Sequence, residues 1–463
     1  MTILRNLIAS ASALALAACA VGPDYVASAP RAAQSGPFLS APPQATVASE
    51  AHGSWWQLYR DPVLDRLVAD ALAANTDIRV AVARLARARA ELRGARSDRL
   101  PQEGVGAGAT YGRDVEAGAR SDDLTLSAGL DVAYEVDLFG RVGRGVEAAR
   151  GEVGAAEADA DAVRVAIAAE TARAYTDAAS AAERLAVAER IVALLDKSIM
   201  LTDRRREVGL ATRLDVARIS ALRNQRQAEV PLLAAERQGA LYRLATLTGR
   251  APAELPPEAG ARRSAPRLDQ PIPVGDGAAL LARRPDIRAA ERRLAASTAR
   301  IGVATADLYP RITLGGSVGA SGTGVGDLLG GPVSWLLGPL INWSLNRSAT
   351  RARIAGAEAD TQAALATFDG AVLRALEETE TALSGYGRAL ERRAALQQAR
   401  QDAEAAVIIT RARQREGQID SLELLDAERT FADADASLAQ ADAAIITAQV
   451  DLFRALGGGW QAG

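Results

Sequence analysis

The chain is written twice. Asn75-Thr76-Asp77-Ile78, followed by Ala81, Arg84 and Leu85 and later by Leu100-Pro101, recurs as Arg284-Pro285-Asp286-Ile287, followed by Ala290, Arg293 and Leu294 and later by Tyr309-Pro310. Farther on, Arg206-Glu207-Val208-Gly209 with Asp215 corresponds to Arg415-Glu416-Gly417 with Glu423. Leu247-Thr248-Gly249 corresponds to Leu456-Gly457-Gly458, again at an offset of 208–209 residues. A fixed offset kept through a whole chain is the mark of a tandem duplication. The first copy covers residues 54–250 and the second 278–458, with a Pro/Gly-rich linker at 251–277 and a short tail at 459–463. Each copy predicts the same order: a short amphipathic helix ending before Pro101 or Pro310, two β-like segments, and a very long helical pattern interrupted once, near Gly209 or Gly417.

The β-like segments alternate. Leu124, Leu126, Ala128, Leu130, Val132, Tyr134 and Val136 interleave with Thr125, Ser127, Gly129, Asp131, Ala133, Glu135 and Asp137. One face is apolar and the other polar. Trp335, Leu337, Ile341, Trp343 and Leu345 form the corresponding apolar set in copy two, and weaker partners lie at ~103–113 and ~311–320. The length suits a tilted membrane strand of ~9–11 residues, with the tryptophans where an aromatic girdle would sit. The same alternation also fits a soluble hairpin laid over helices. Four strands cannot close a barrel, so a membrane-spanning role would require several chains to pool them.

Prolines are absent between Pro101 and Pro231 and after Pro339. Helices are therefore expected from about 142 to 207 and from 350 to 415, each ~100 Å long at 1.5 Å per residue. Leu185, Ala188, Val192, Leu195 and Ile199 repeat at 3-4 spacing, as in a coiled coil, and so do Ala436, Ala439, Ala443, Ile446, Val450 and Phe453. Pro231 is expected to kink the return helix. Gly209 and Gly417 mark the turns between antiparallel helices, and Thr212 and Asp215, or Asp420 and Ser421, can cap the helix that follows.

Residues 1–18 read as a signal peptide, with Arg5 ahead of an apolar run too short to span a membrane. It ends in Leu16-Ala17-Ala18-Cys19, which has the form of a lipobox, although an ordinary signal peptide with an incidental cysteine has the same look. Residues 19–53 begin an Ala/Pro/Ser-rich stretch expected to be a lipid-anchored extended tether. Cys19 and His52 are the only cysteine and histidine, which excludes an internal disulfide, a Cys/His zinc cluster and two-histidine catalysis. A net charge of −3 gives no basic field for nucleic acid. Basic residues are nearly all arginine, as a genome-wide compositional bias would produce. The glycines of Gly315 to Gly331 lack the Lys-Ser/Thr of a phosphate loop. No enzymatic constellation and no cofactor other than diacylglycerol or palmitate on Cys19 is expected.

The two tips read Arg204-Arg205-Arg206-Glu207-Val208-Gly209-Leu210-Ala211-Thr212-Arg213-Leu214-Asp215-Val216 and Arg411-Ala412-Arg413-Gln414-Arg415-Glu416-Gly417-Gln418-Ile419-Asp420-Ser421-Leu422-Glu423-Leu424-Leu425-Asp426. With the duplication, the lipobox and Tyr134-Glu135-Val136-Asp137-Leu138-Phe139-Gly140-Arg141, they resemble the TolC/OprM-type outer-membrane factors of tripartite pumps, in particular the NodT-like lipoprotein branch. The resemblance covers nearly all of the mature chain. It implies a mainly α fold with a small transmembrane β part, assembled as a homotrimer. A 12-stranded barrel would sit in the outer membrane and continue as a periplasmic α-helical tunnel. It implies a periplasmic adaptor and an inner-membrane RND-type pump as partners, and passive conduction of small molecules such as drugs. By distance from the tip glycines, the acidic ring of the gate falls on Glu423 and Asp426, the copy-one gate acid on Asp215 and the gate arginine on Arg413. Adaptor docking falls on Gly209, Leu210, Thr212 and Gly417. The family's tip tyrosine is Gln414 here, and the arginine of TolC-like members is Ile419. Rings of carboxylates favour cations, and Glu423 and Asp426, three apart, share a helix face. A solvated helix face is the plainer reading of those acids. Protein secretion or metal efflux through the same channel, or a non-conducting periplasmic spacer, are the alternatives in function.

Overall fold

The computed structural model describes residues 20–27, 31–49, 53–116, 119–268, 270–330 and 333–458. The signal peptide, Cys19, His52 and the tail from 459 lie outside the described residues. In chain order the main elements are α1 (Pro62–Ala74), α2 (Thr76–Ser97), β1 (Gln102–Glu116), β2 (Ala119–Val136), α3 (Arg141–Glu207), α4 (Arg213–Gln227), α5 (Glu229–Leu247), α6 (Gly277–Arg283), α7 (Pro285–Ala306), β3 (Arg311–Gly322), β4 (Val333–Asn342), α8 (Arg347–Arg415) and α9 (Ser421–Ala455). The described residues are mainly α-helical, with one four-stranded sheet and one short two-stranded parallel pairing, and the chain divides into two compact units.

The first unit is made of the described residues within Met1–Ala29, Ala83–Ala158 and Arg288–Ala371. Its four-stranded sheet is antiparallel in the order β1-β2-β3-β4, so the hairpin of each copy joins the other through β2 and β3. The register aligns Val105, Leu130, Val318 and Trp335 across all four strands. These side chains are 85%, 41%, 43% and 76% exposed. A continuous apolar row left open across a whole sheet is foreign to a water-facing surface and suits lipid. On the opposite face Gly106, Gly129 and Gly319 align with Ser334. The hairpins are not laid over helices by their apolar face, which leaves the lipid-facing alternative. No described helix is long and apolar enough to cross a membrane.

The second unit is made of the described residues within Pro30–Val82, Asp159–Ile287 and Val372–Gly463. Its core gathers around Trp55, which is fully buried and stacked on Phe453 at 4.6 Å between ring centroids. Part of the stretch read as a tether is fixed here. Leu39 and Ser40 donate their N–H groups to the Glu380 carboxylate at 2.7 and 2.9 Å, and Thr46–Val47 pairs in parallel with Ile272–Pro273.

Each copy opens with two helices where the sequence suggested one. Asn75 breaks the first pair: it is extended, its Oδ1 accepts from the Asp77 and Ile78 N–H groups, and its Nδ2 donates to the Leu247 carbonyl. This caps α2 and docks it on the end of α5. Arg284 holds the equivalent place in copy two, donating to the Ala455 carbonyl at 2.9 Å and pairing with Asp286 and Glu378. The return helix of copy one is interrupted at Ala228, three residues before Pro231. Proline lacks the N–H that would bond back to the fourth residue before it, here Gln227, and its ring crowds that carbonyl. The break therefore falls upstream of the proline itself.

Candidate functional site

Both helical interruptions are built by the same local rule. α3 ends in Gly209 at φ 80°, with the Gly209 N–H bonding the Arg206 carbonyl at 3.0 Å and the Leu210 N–H the Arg205 carbonyl at 2.7 Å. α8 ends in Gly417 at φ 72°, with Gly417 bonding Gln414 at 3.0 Å and Gln418 bonding Arg413 at 2.9 Å. Both are Schellman ends, whose left-handed residue favours glycine. Thr212 then opens α4 through a capping box: its hydroxyl accepts from the Asp215 N–H, and Asp215 Oδ2 accepts from the Thr212 N–H at 2.8 Å and hydroxyl at 2.7 Å. Asp420 opens α9 by accepting from the Leu422 and Glu423 N–H groups at 2.9 and 3.0 Å.

These caps sort the sequence-derived residues. Asp215 is a capping acid in this chain; the Thr212 hydroxyl and then the Thr212 N–H hold its carboxyl below the ordinary carboxylate range. It makes no ion pair with Arg413. Arg413, Glu423 and Asp426 are all exposed, and among the described residues none of the three has an intrachain ion-pair partner. Gly209, Leu210, Thr212 and Gly417 lie at the surface of the tips. Gln414 is 3% exposed, and its carbonyl accepts from Arg205 Nη1 at 3.3 Å, which ties the end of α8 to the end of α3. Ile419 is buried. No cluster of three or more His, Cys, Asp or Glu able to hold a metal occurs among the described residues.

Likeness to known proteins along the whole chain decides what these tips belong to. The family model described as "Outer membrane efflux protein" matches residues 67–250 and 278–458. This chain belongs to the outer membrane efflux protein family. It is 35% identical to the outer membrane protein OprJ of Pseudomonas aeruginosa over 97% of this chain and 95% of that protein. It is 32% identical to the antibiotic efflux pump outer membrane protein ArpC of Pseudomonas putida, over 97% and 94%. Among solved structures, the outer-membrane channel OprN superposes with a TM-score of 0.90 at 39% identity, covering 96% of this chain and all of that one. The family is one of channel components and not of enzymes, and its members sit in the outer membrane and extend into the periplasm.

The efflux protein also carries a tip feature that sequence reasoning passed over. Glu428, 1% exposed, accepts from Ser198 Oγ of α3 at 2.8 Å and from Arg411 of α8 at 3.0 Å. One carboxylate on α9 thereby joins three helices. Arg226 of α4 likewise reaches Asp433 of α9 and Glu229. The signal was present in Leu424, Leu425, Glu428 and Ala432, spaced 1, 3 and 4 apart. That is the inward stripe of α9, and an acid stands at a core position in it. Glu423 and Asp426 lie on the other, exposed side of the same helix.

Proposed function

We propose that three copies of this efflux protein associate into an exit duct that passively conducts small organic molecules, delivered by an inner-membrane RND-type pump through a periplasmic adaptor. The carrying observation is the sheet. β1 and β4 each have a neighbour on one side only, while the apolar row from Val105 to Trp335 faces outward. Unpaired backbone groups are not tolerated in hydrocarbon, so open edges in a lipid-facing sheet require closure with other chains. Three chains supply ~12 strands, enough for a barrel with an aqueous interior.

At the helix tips, Glu423 and Asp426 from three chains form the acidic ring of a gate, with Arg413 as its cationic counterpart. Their exposure and lack of intrachain partners leave them free for contacts across the symmetry axis. Asp215 supports the gate indirectly, by fixing the start of α4. The surface of Gly209, Leu210, Thr212 and Gly417 receives the adaptor. Cys19 carries the acyl anchor. The pump to which ArpC belongs is named for antibiotics, and that favours small-molecule cargo here.

Purified protein added to planar bilayers tests the reading. A trimer with ion conductance is expected; a monomer without conductance would sink it.

A further inference from the structure

The first described residues are seated in a socket. The Val21 N–H donates to the Phe139 carbonyl at 3.2 Å. Arg144, whose side chain is 8% exposed, donates through Nη2 to Asp24 Oδ1 at 2.6 Å and, more loosely, through Nε to the Val21 carbonyl and through Nη2 to the Gly22 carbonyl, both at 3.4 Å. Tyr25 Oη donates to Glu291 at 3.2 Å. Gly22 has φ 92°, and a Cβ there would stand 2.5 Å from Gly302 Cα, so the strap touches α7 backbone to backbone. A Cβ on Gly140 would stand 2.9 Å from the Cβ of Ala20.

The duplication shows that this socket is specific. By the offset that aligns Asp77 with Asp286, Gly302 corresponds to Arg93. Copy one therefore puts a long side chain where copy two leaves a bare backbone for the strap. A generic helix-packing glycine would not need the left-handed Gly22 opposite it, nor a nearly buried arginine aimed at the strap's carbonyls. The seat lies just past the end of β2, beside Phe139, whose ring stacks on Tyr309 at 4.5 Å between centroids. Aromatic side chains collect in girdles at the membrane–water boundary near the ends of membrane strands.

We infer that the Ala20–Tyr25 strap and its Arg144/Gly302 socket set the place at which the lipid on the preceding residue enters the bilayer, at the Phe139–Tyr309 rim of the protein's own sheet. The inference rests on acylation of Cys19. Arg144 and Gly302 are positioning residues: they neither carry the lipid nor take part in its attachment. The acyl chains then lie against the barrel wall and do not sample the membrane at the reach of a free tether.

The test uses the full-length protein in cells fed a fatty acid bearing both a diazirine and an alkyne. After illumination, crosslinked peptides are mapped, and label that persists in Cys19→Ala is subtracted as bulk phospholipid. In the wild type, label is expected on the ends of β2 and β3, around residues 134–139 and 309–314. In Gly302→Arg, which imposes the copy-one residue, and in Arg144→Met, which keeps the apolar stem and removes the donors, that label is expected to disperse. Exchange at the Val21 amide should rise about fivefold in both, as loss of a docked hydrogen bond of ~1 kcal/mol implies. Conductance should be retained. Crosslinks equally scattered in wild type and variants would overturn the positioning role. If no alkyne reaches Cys19 at all, the acylation reading is what fails.

Discussion

The carboxylate of Glu428 and the guanidinium of Arg411 meet at 3.0 Å inside the helical tip, with Glu428 1% exposed and Arg411 32% exposed in their side chains. Removing one partner of such a pair leaves an uncompensated charge away from water. Arg411→Ala is expected to destabilise the second unit by ~3 kcal/mol or more, read as a fall in unfolding midpoint in detergent. Glu428→Met, which replaces the acid by an apolar side chain of similar length, should cost less. Equal losses in the two variants would show that packing, not charge, holds this junction.

Gly209 and Gly417 have the same left-handed backbone, and a Cβ at either would meet nothing within 4 Å. Only backbone strain opposes substitution. Gly209→Ala and Gly417→Ala should each cost ~1 kcal/mol, and asparagine at the same positions should cost less. Hydrogen exchange of the tip amides is the measurement, and faster exchange confined to the tip the expected outcome.

Acid should loosen the start of α4. The Asp215 carboxyl is depressed in the folded chain by the Thr212 hydroxyl and N–H, so its contribution is complete above the unfolded carboxyl value of ~3.9 and disappears as pH falls through the lower folded value. Protection of the amides of residues 213–216, corrected for intrinsic rates, should therefore drop below about pH 4. Asp215→Asn should flatten that dependence, while Glu423→Gln should leave it unchanged.

For the ring, Glu423→Ala combined with Asp426→Ala should reduce the preference of the reconstituted channel for cations and weaken block by divalent ions. Reversal potentials in a salt gradient give the answer. A double variant with the selectivity of the wild type would remove these two acids from the gate.

Much of this was legible in the chain. The alternation from Leu124 to Val136 lies within β2, and the pairing of Gly209 with Gly417 through the duplication marks two Schellman ends that the backbone repeats. Periodicity and glycine placement are local properties, and local properties survive in a sequence. The helix break at Asn75 was written locally, in an asparagine that caps its neighbours Asp77 and Ile78, and was passed over; only its tertiary bond to the Leu247 carbonyl, 172 positions away, was not visible. Glu428 was missed for the same kind of reason: its partners Ser198 and Arg411 lie on other helices, and only its place in an apolar stripe hinted at them. Asp215 was legible as a cap, and family resemblance alone gave it a further role.

The open edges of β1 and β4 carry a kinetic consequence. If three chains complete the sheet as proposed, completion is a reaction between molecules, and its rate climbs steeply with the number of chains arriving at the membrane. Low expression then yields stranded intermediates in place of proportionally fewer channels. In the proposed trimer a single faulty copy would spoil the work of the sound copies beside it, so a damaged allele should behave as dominant over an intact one.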